Sequence, residues 1–351
     1  MSFFWSSWIT ILSLGCWLFI FGILMWTLKN KPTLEEDGTT GHTYDGIQEY
    51  DRPLPKWWLV VFFGTLFWGL GYFVLYPAIQ PASWKGLTTV TVDGQKVNWT
   101  SENELNSNLQ SNNKVFLESF EGILANGGAS EAMPVLAKLN ELQASQRQNA
   151  EPSEELQAQI DEQVKLLAPY VDKLMDHPEA IKIGNNLFLQ NCALCHGSNA
   201  EGATGYPNLT DNDWLYGGKA DEILLTIHNG RVGSMASWQK QLGESGVRAS
   251  AEYVLSISGN QNGYELNQAQ VAQGKAIFEA NCTLCHGEDA KGLTSFGAPN
   301  LTDDIWLFGG DRETIQTTIR HGRAGVMPEW QTKLGNERIM LLAAYVRSLS
   351  Q

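Results

Sequence analysis

The sequence predicts a mainly all-α chain, with two transmembrane helices at the N-terminus and then a helical unit that occurs twice. Three observations carry this. Two long stretches near the start hold no ionisable side chain, apolar residues recur at helical spacing from Met133 to Met175, and from about residue 179 the chain repeats itself. At about 100–200 residues per domain, 351 residues leave room for two or three folded units. Hydrophobic residues make up 43% and charged ones 18%, which excludes an intrinsically disordered chain. The net charge of -14, from 24 Lys+Arg and 38 Asp+Glu, offers nothing to grip a phosphate backbone, so no nucleic-acid partner is expected.

Residues 1–80 read as a membrane anchor. From Phe3 to Leu28 no residue is ionisable, a length that exceeds a hydrocarbon core of about 30 Å. A second uncharged run, Trp57 to Ile79, carries Trp57, Trp58, Tyr72 and Tyr76 near its ends, where aromatic rings suit the membrane interfaces. A cleaved signal peptide fits the first run poorly: no basic segment precedes it, it is too long, and no small-x-small site follows. Lys29, Lys31, Arg52 and Lys56 flank the helices from the loop 29–56, whereas only Lys85 closely follows the second helix. Positive residues stay on the cytoplasmic side, so this loop is expected there, with the N-terminus and the large C-terminal part outside. Neither span contains Asp, Glu, Lys, Arg or His, so no proton or ion path is expected through them, and the pair reads as an anchor and docking surface in lipid. Cys16 reads as a packing residue. Glu35, Glu36, Asp37 and His42 read as solvated polar residues.

Residues 81–176 read as a linker with a polar helical pair. The stretch 81–129 mixes Thr, Asn, Gly and Ser, with alternation at Val90-Thr91-Val92 and a turn at Asp93-Gly94. Leu136, Leu139 and Leu142, then Leu156, Ile160, Val164 and Leu167, mark two helices, and Pro152 suits the start of the second.

Residues 177–260 and 261–351 are the two copies. Asn191-Cys192-Ala193-Leu194-Cys195-His196-Gly197 returns as Asn281-Cys282-Thr283-Leu284-Cys285-His286-Gly287, and Pro207-Asn208-Leu209-Thr210-Asp211 returns as Pro299-Asn300-Leu301-Thr302-Asp303. Trp214, Arg231, Met235, Trp238 and Tyr253 match Trp306, Arg323, Met327, Trp330 and Tyr345. Each copy holds Cys-x-x-Cys-His, the spacing of c-type haem attachment, in which two thiols add across the haem vinyl groups and the adjacent His meets the iron. A zinc site would space its CxxC pairs by about 15–20 residues, and a thioredoxin-like pair would follow a β-rich run; neither condition holds. Two covalently bound haem c groups are therefore expected, held by Cys192, Cys195 and His196 and by Cys282, Cys285 and His286.

A low-spin carrier needs a sixth ligand, usually Met or His. His228 aligns with Arg320 and His321 with Asn229, so neither occupies a column shared by both copies, and His177 precedes the first motif. Met235 and Met327 do share a column, 39 and 41 residues after His196 and His286, and are the expected ligands. With both axial positions taken, the haems would pass electrons and do no bond chemistry. Arg231 and Arg323, four residues before the methionines, either hold haem propionates or face solvent. Trp214, Trp306, Trp238 and Trp330 either wall the haem pockets or fill the core. Pro207 and Pro299 are placed to offer a carbonyl to the proximal His. The expected fold is thus two N-terminal transmembrane helices followed by a duplicated cytochrome c-type (class I) helical domain.

Over nearly its whole length the chain resembles the diheme subunit (subunit III) of cbb3-type cytochrome c oxidases. The likeness is carried by Phe4-Trp5-Ser6-Ser7-Trp8, by Gly41-His42-Thr43-Tyr44-Asp45-Gly46-Ile47-Gln48-Glu49-Tyr50-Asp51, by Trp84-Lys85-Gly86 and by Ile319-Arg320-His321-Gly322-Arg323 with Met327-Pro328. Ala236 stands where the second copy has Pro328, and the segment 133–175 is longer than the family pattern. The resemblance implies two c-type haems, with His196 paired to Met235 and His286 to Met327. It implies a periplasmic cytochrome c donor, with electrons passing to a monoheme subunit and then to a haem-copper catalytic subunit. It also implies a bacterial inner-membrane location with the haem domains in the periplasm. A cytochrome subunit of a periplasmic dehydrogenase is the alternative, and a membrane-tethered redox or gas sensor a third.

Overall fold

With no charge and no proline to interrupt it, the first apolar run folds as α1 (Phe3–Lys29). The computed structural model describes residues 3–30, 39–50, 55–76, 85–148, 153–259, 263 and 265–350. Lys31, Arg52, Pro152 and the acidic cluster Glu35–Asp37, all weighed in the sequence, lie outside them. A hairpin follows, β1 (Thr39–Tyr44) with β2 (Ile47–Tyr50), and then the second apolar helix, α2 (Lys56–Leu75). Both helices are long and apolar enough to cross a membrane. They touch through Trp17, whose Nε1 donates to the Leu66 carbonyl at 3.0 Å, and through Phe21, which meets Phe63 edge-on. Their outer faces leave Leu18, Phe19, Val60 and Trp68 exposed, a surface suited to lipid rather than water.

The turn of the first hairpin, Asp45-Gly46, has positive φ at both residues (46° and 82°), which two-residue hairpins of this twist require. The sequence predicts only a loop over 29–56, so the hairpin is a departure from it. The second hairpin, β3 (Thr89–Val92) with β4 (Gln95–Asn98), turns at Asp93-Gly94 as the sequence predicts. The next segment departs from expectation: the polar mixture forms a 26-residue helix, α3 (Ser101–Asn126). Thr100 caps it through a 3.0 Å bond from the Asn103 N–H, Glu102 and Glu104 complement the helix dipole, and Phe120, Ile123 and Leu124 are buried at its far end. The chain divides within this helix into two compact units, up to Phe116 and from Leu117.

In the second unit the expected helical pair appears as α4 (Ala132–Gln148) and α5 (Glu154–Lys165), with α6 (Ala168–Leu174) after them. Leu136, Leu139, Ile160 and Val164 are buried, and the Ser153 hydroxyl caps α5 by accepting from the Leu156 N–H. The first copy supplies α7 (Pro178–Asn191), α8 (Ala193–His196), α9 (Ala220–Asn229), β5 (Arg231–Met235) and α10 (Gln239–Ile257). The second supplies α11 (Gln268–Asn281), α12 (Thr283–His286), α13 (Arg312–His321), β6 (Arg323–Met327), α14 (Gln331–Leu334) and α15 (Asn336–Ser348).

The copies are consecutive in sequence, but they exchange their last helices in space. Helix α15 packs on α7 and α9, while α10 packs on α11 and α13. Glycines permit both crossings: a β-carbon at Gly184 would lie 2.5 Å from the Leu341 carbonyl oxygen, and one at Gly274 would lie 2.0 Å from that of Ala249. Phe188 then meets Tyr345, and Phe278 meets Tyr253, at ring distances of 5.5 and 5.3 Å. The cause is the antiparallel ladder of β5 with β6, which carries each chain segment across to the other lobe before its last helix begins. Each lobe is therefore built from both copies. Helices α4, α5 and α6 pack against the first lobe, on α9 and α15.

Candidate functional site

Each Cys-x-x-Cys-His motif is one short helical turn set at the end of a longer helix. Cys192 ends α7 and Cys282 ends α11, and their carbonyls accept from the His196 and His286 N–H groups at 3.0 Å. This winding brings both thiols and the imidazole to one place. The thiols of Cys192, Cys195, Cys282 and Cys285 form no disulfide. Burial, with the neighbouring thiol of the pair second, pushes Cys192 and Cys282 up to about 11, so both are held as thiols.

The histidines are oriented as the sequence foresaw. His196 Nδ1 lies 3.1 Å from the Pro207 carbonyl, and His286 Nδ1 lies 3.2 Å from that of Pro299. A carbonyl can only accept, so Nδ1 carries the proton and Nε2 keeps the lone pair a metal needs. Burial lowers the pKa of both rings, against the smaller opposing effect of the carbonyl bond, which keeps the imidazoles neutral.

Arg231 and Arg323 are half-buried and held alike. The Arg231 Nε donates to Thr226 Oγ1 at 2.9 Å, and the guanidinium lies over the Tyr216 ring at 4.8 Å. Arg323 donates to Thr318 Oγ1 at 3.0 and 2.8 Å and lies over Phe308 at 4.3 Å. These four partners are not among the residues the sequence analysis singles out. They stand in matched columns of the repeat, 92 residues apart, so the alignment that found the methionines would have found them too. Trp306 is partly buried, and its Nε1 is buried without a hydrogen-bond partner among the described residues.

Met235 and Met327 are the last residues of β5 and β6 and so lie at opposite ends of the ladder. Met235 packs, with Trp238, against the core around Phe278, Ile315 and Ile319, which also takes Cys282 and Trp306 of the second copy. Arg231 stands opposite Met327 in the ladder, and Met235 opposite Arg323. The ladder thus sets each methionine beside the other copy's arginine, and Met235 beside the core that also takes Cys282.

Two of the other histidines, His228 and His177, have structural work. His228 is buried and neutral-leaning, with Nε2 at 2.7 Å from Gln143 and Nδ1 at 2.6 Å from Asn229 Oδ1, inside a polar network that includes Asn336. His177 caps α7. Among the described residues no group of three or more His, Cys, Asp and Glu side chains is arranged to hold a metal ion by itself.

The donor set fits a haem. Two thiols and an Nε2 imidazole share one turn in each copy, the arrangement that c-type haem attachment needs. When bound, a haem would supply one-electron redox chemistry, and the thiols and imidazoles of the two turns are the groups that would hold it.

Paired thiol-imidazole turns of this kind, in a duplicated helical fold, define a cytochrome that binds haem c. Comparisons with known proteins sharpen this. Residues 179–254 and 269–346 match the family described as cytochrome c oxidase, cbb3-type, subunit III, and residues 36–83 match the N-terminal domain of cytochrome oxidase-cbb3, FixP. The chain is 35% identical to the cbb3-type cytochrome c oxidase subunit FixP of Azorhizobium caulinodans, over 89% of this chain and 92% of the relative. It is 34% identical to the CcoP subunit of Cereibacter sphaeroides, over 91% and 98%, and 35% identical to that of Rubrivivax gelatinosus, over 99% and 95%. The chain belongs to the FixP/CcoP family, subunit III of the cbb3-type cytochrome c oxidases, and is a membrane-anchored cytochrome of that oxidoreductase complex.

Proposed function

We propose that this chain is the electron-entry subunit of its oxidase. It takes electrons from a periplasmic cytochrome c and relays them to the monoheme subunit, which passes them to the haem-copper subunit where oxygen is reduced. Two haem c groups are covalently attached, one to Cys192 and Cys195 with His196 as ligand, the other to Cys282 and Cys285 with His286. Met235 and Met327 supply the sulfur ligands, and Arg231 and Arg323 hold propionates. Filled axial positions suit electron transfer and leave oxygen chemistry to another chain.

The observation that carries this reading is the duplicated turn in which each imidazole is fixed through Nδ1 on a proline carbonyl with Nε2 left for iron. The names of the relatives favour an oxidase over the cytochrome subunit of a periplasmic dehydrogenase. The loop 29–56 faces the cytoplasm of a bacterium, the two helices cross its inner membrane, and the N-terminus and haem lobes lie in the periplasm; the lysines at the helix ends support that orientation. The 18 acidic against 13 basic residues over 177–351 suit steering of a basic donor.

Purification in mild detergent tests this. A haem-copper subunit and a monoheme cytochrome are expected to co-purify, and the complex is expected to oxidise reduced cytochrome c with oxygen uptake. Recovery with a quinoprotein or flavoprotein dehydrogenase instead would contradict it.

A further inference from the structure

We propose that the exposed half of α3 is the docking face for an apolar-faced helix of another membrane-anchored subunit of the oxidase. This face serves assembly, and its role is independent of the electron path proposed above.

At 3.6 residues per turn, Leu105, Leu109, Phe116, Phe120 and Ile123 fall within an arc of about 60° on α3. One apolar stripe thus follows the helix, but the chain covers only its far end. Phe120 and Ile123 are buried and Phe116 is half-buried, whereas Leu105 and Leu109 are each 56% exposed. Leucines one turn apart are the anchors by which a helix meets a second helix or a groove. Asn112 interrupts the stripe, a polar group of the kind that fixes register where two helices pair.

The hairpin β3–β4 holds the opposite side of α3 and leaves the leucines open. Asn103 and Gln110 lie about 140–160° round the helix from Leu105. Asn103 donates to the Asn98 carbonyl at 2.9 Å. Gln110 donates to Asp93 Oδ1 at 2.8 Å, and its side-chain oxygen accepts from the Asp93 N–H at 3.1 Å. The hairpin in turn sits on the end of α2. The Leu87 and Thr88 N–H groups donate to the Leu75 carbonyl at 2.9 and 3.0 Å, and the Trp99 ring meets that of Tyr76 edge-on at 4.8 Å. Leu105 and Leu109 are therefore fixed close to the end of a membrane helix, the level at which helices of neighbouring subunits leave the same bilayer. Membership of an oxidase subunit family means that such neighbours exist.

Charge decides between protein and lipid as the occupant. A helix that lies on anionic lipid is rich in Lys and Arg on its polar face, whereas α3 carries four glutamates and one lysine, Lys114. Glu102 borders the stripe beside Leu105 and Leu109, so the docked helix is expected to carry a basic residue flanking its own apolar side.

The test uses the full chain assembled in its complex, with the photoreactive residue benzoylphenylalanine replacing Leu105 or, separately, Leu109. On irradiation a covalent adduct with another oxidase subunit is expected from either position, and mass spectrometry should place it on an apolar helical segment of that subunit. Adducts with lipid alone or with a second copy of this chain would overturn the proposal, as would the absence of any adduct from both positions. In a second measurement, Leu105→Glu combined with Leu109→Glu is expected to lower the recovery of other oxidase subunits with this chain by about tenfold or more, with its haem stain and its membrane fraction unchanged. Recovery equal to that of the parent would contradict the docking face. Should the double variant fail to accumulate, the photo-adduct decides, since benzoylphenylalanine keeps the face apolar.

Discussion

Met235 stands directly opposite Arg323 in the five-residue ladder that joins the two lobes, and Met327 stands opposite Arg231 in the same way. The two groups best suited to hold a haem from the distal side therefore meet from different copies of the repeat.

The arginines carry the first prediction. A guanidinium beside a haem favours the reduced iron, which bears less positive charge. Arg323→Gln is expected to lower the potential of the second-lobe haem by on the order of tens of millivolts, the scale of a charge several ångströms away in a partly screened site. Arg231→Gln should do the same to the first. A redox titration checks both, and unchanged potentials would mean that the arginines merely face solvent.

Helix exchange makes a second prediction about stability. Gly274 lies where α11 crosses α10, with no room for a β-carbon beside the Ala249 carbonyl. Gly274→Val is expected to destabilise the haem region by about 1–3 kcal/mol through overpacking. Denaturant unfolding followed by haem absorption would show it. A variant as stable as the parent would contradict the packing of α10 on α11.

A third prediction concerns pH. Asp213 is half-buried, and desolvation, with Asp303 and then Asp211 adding like charge, raises its carboxyl to about 6. A carboxyl whose folded value lies above its unfolded one stabilises the fold while protonated. That contribution is complete below about pH 4 and is lost as the pH rises through 6. Asp213→Asn, which stays neutral, should therefore gain about 1 kcal/mol at pH 8 once solvent screening is allowed for, and nothing at pH 4. Thermal melts should show about 2–4 °C at the higher pH. An equal gain at both values would contradict the electrostatic origin.

Much of this was legible because the chain is duplicated. Matched columns singled out Met235 and Met327 and set aside His228, which the structure shows buried in a polar network instead. The Pro207 and Pro299 carbonyls were placed correctly from their position after the motif. What sequence could not show was non-local. Five residues such as Arg231–Met235 carry no strand signal of their own, and their pairing with residues 88 to 96 positions later depends on the whole second unit. That pairing redirects α10 and α15, so a repeat that reads as two consecutive lobes folds as two shared ones. The polar helix α3 was missed for a different reason. Its first turns are exposed, and only its far end buries the apolar residues by which a helix is usually recognised.

The most direct test of the account is mass spectrometry of proteolytic fragments from the purified chain. The fragment containing Cys192 and Cys195 and the fragment containing Cys282 and Cys285 are each expected to carry one haem through two thioether bonds. Free thiols on both fragments would contradict it.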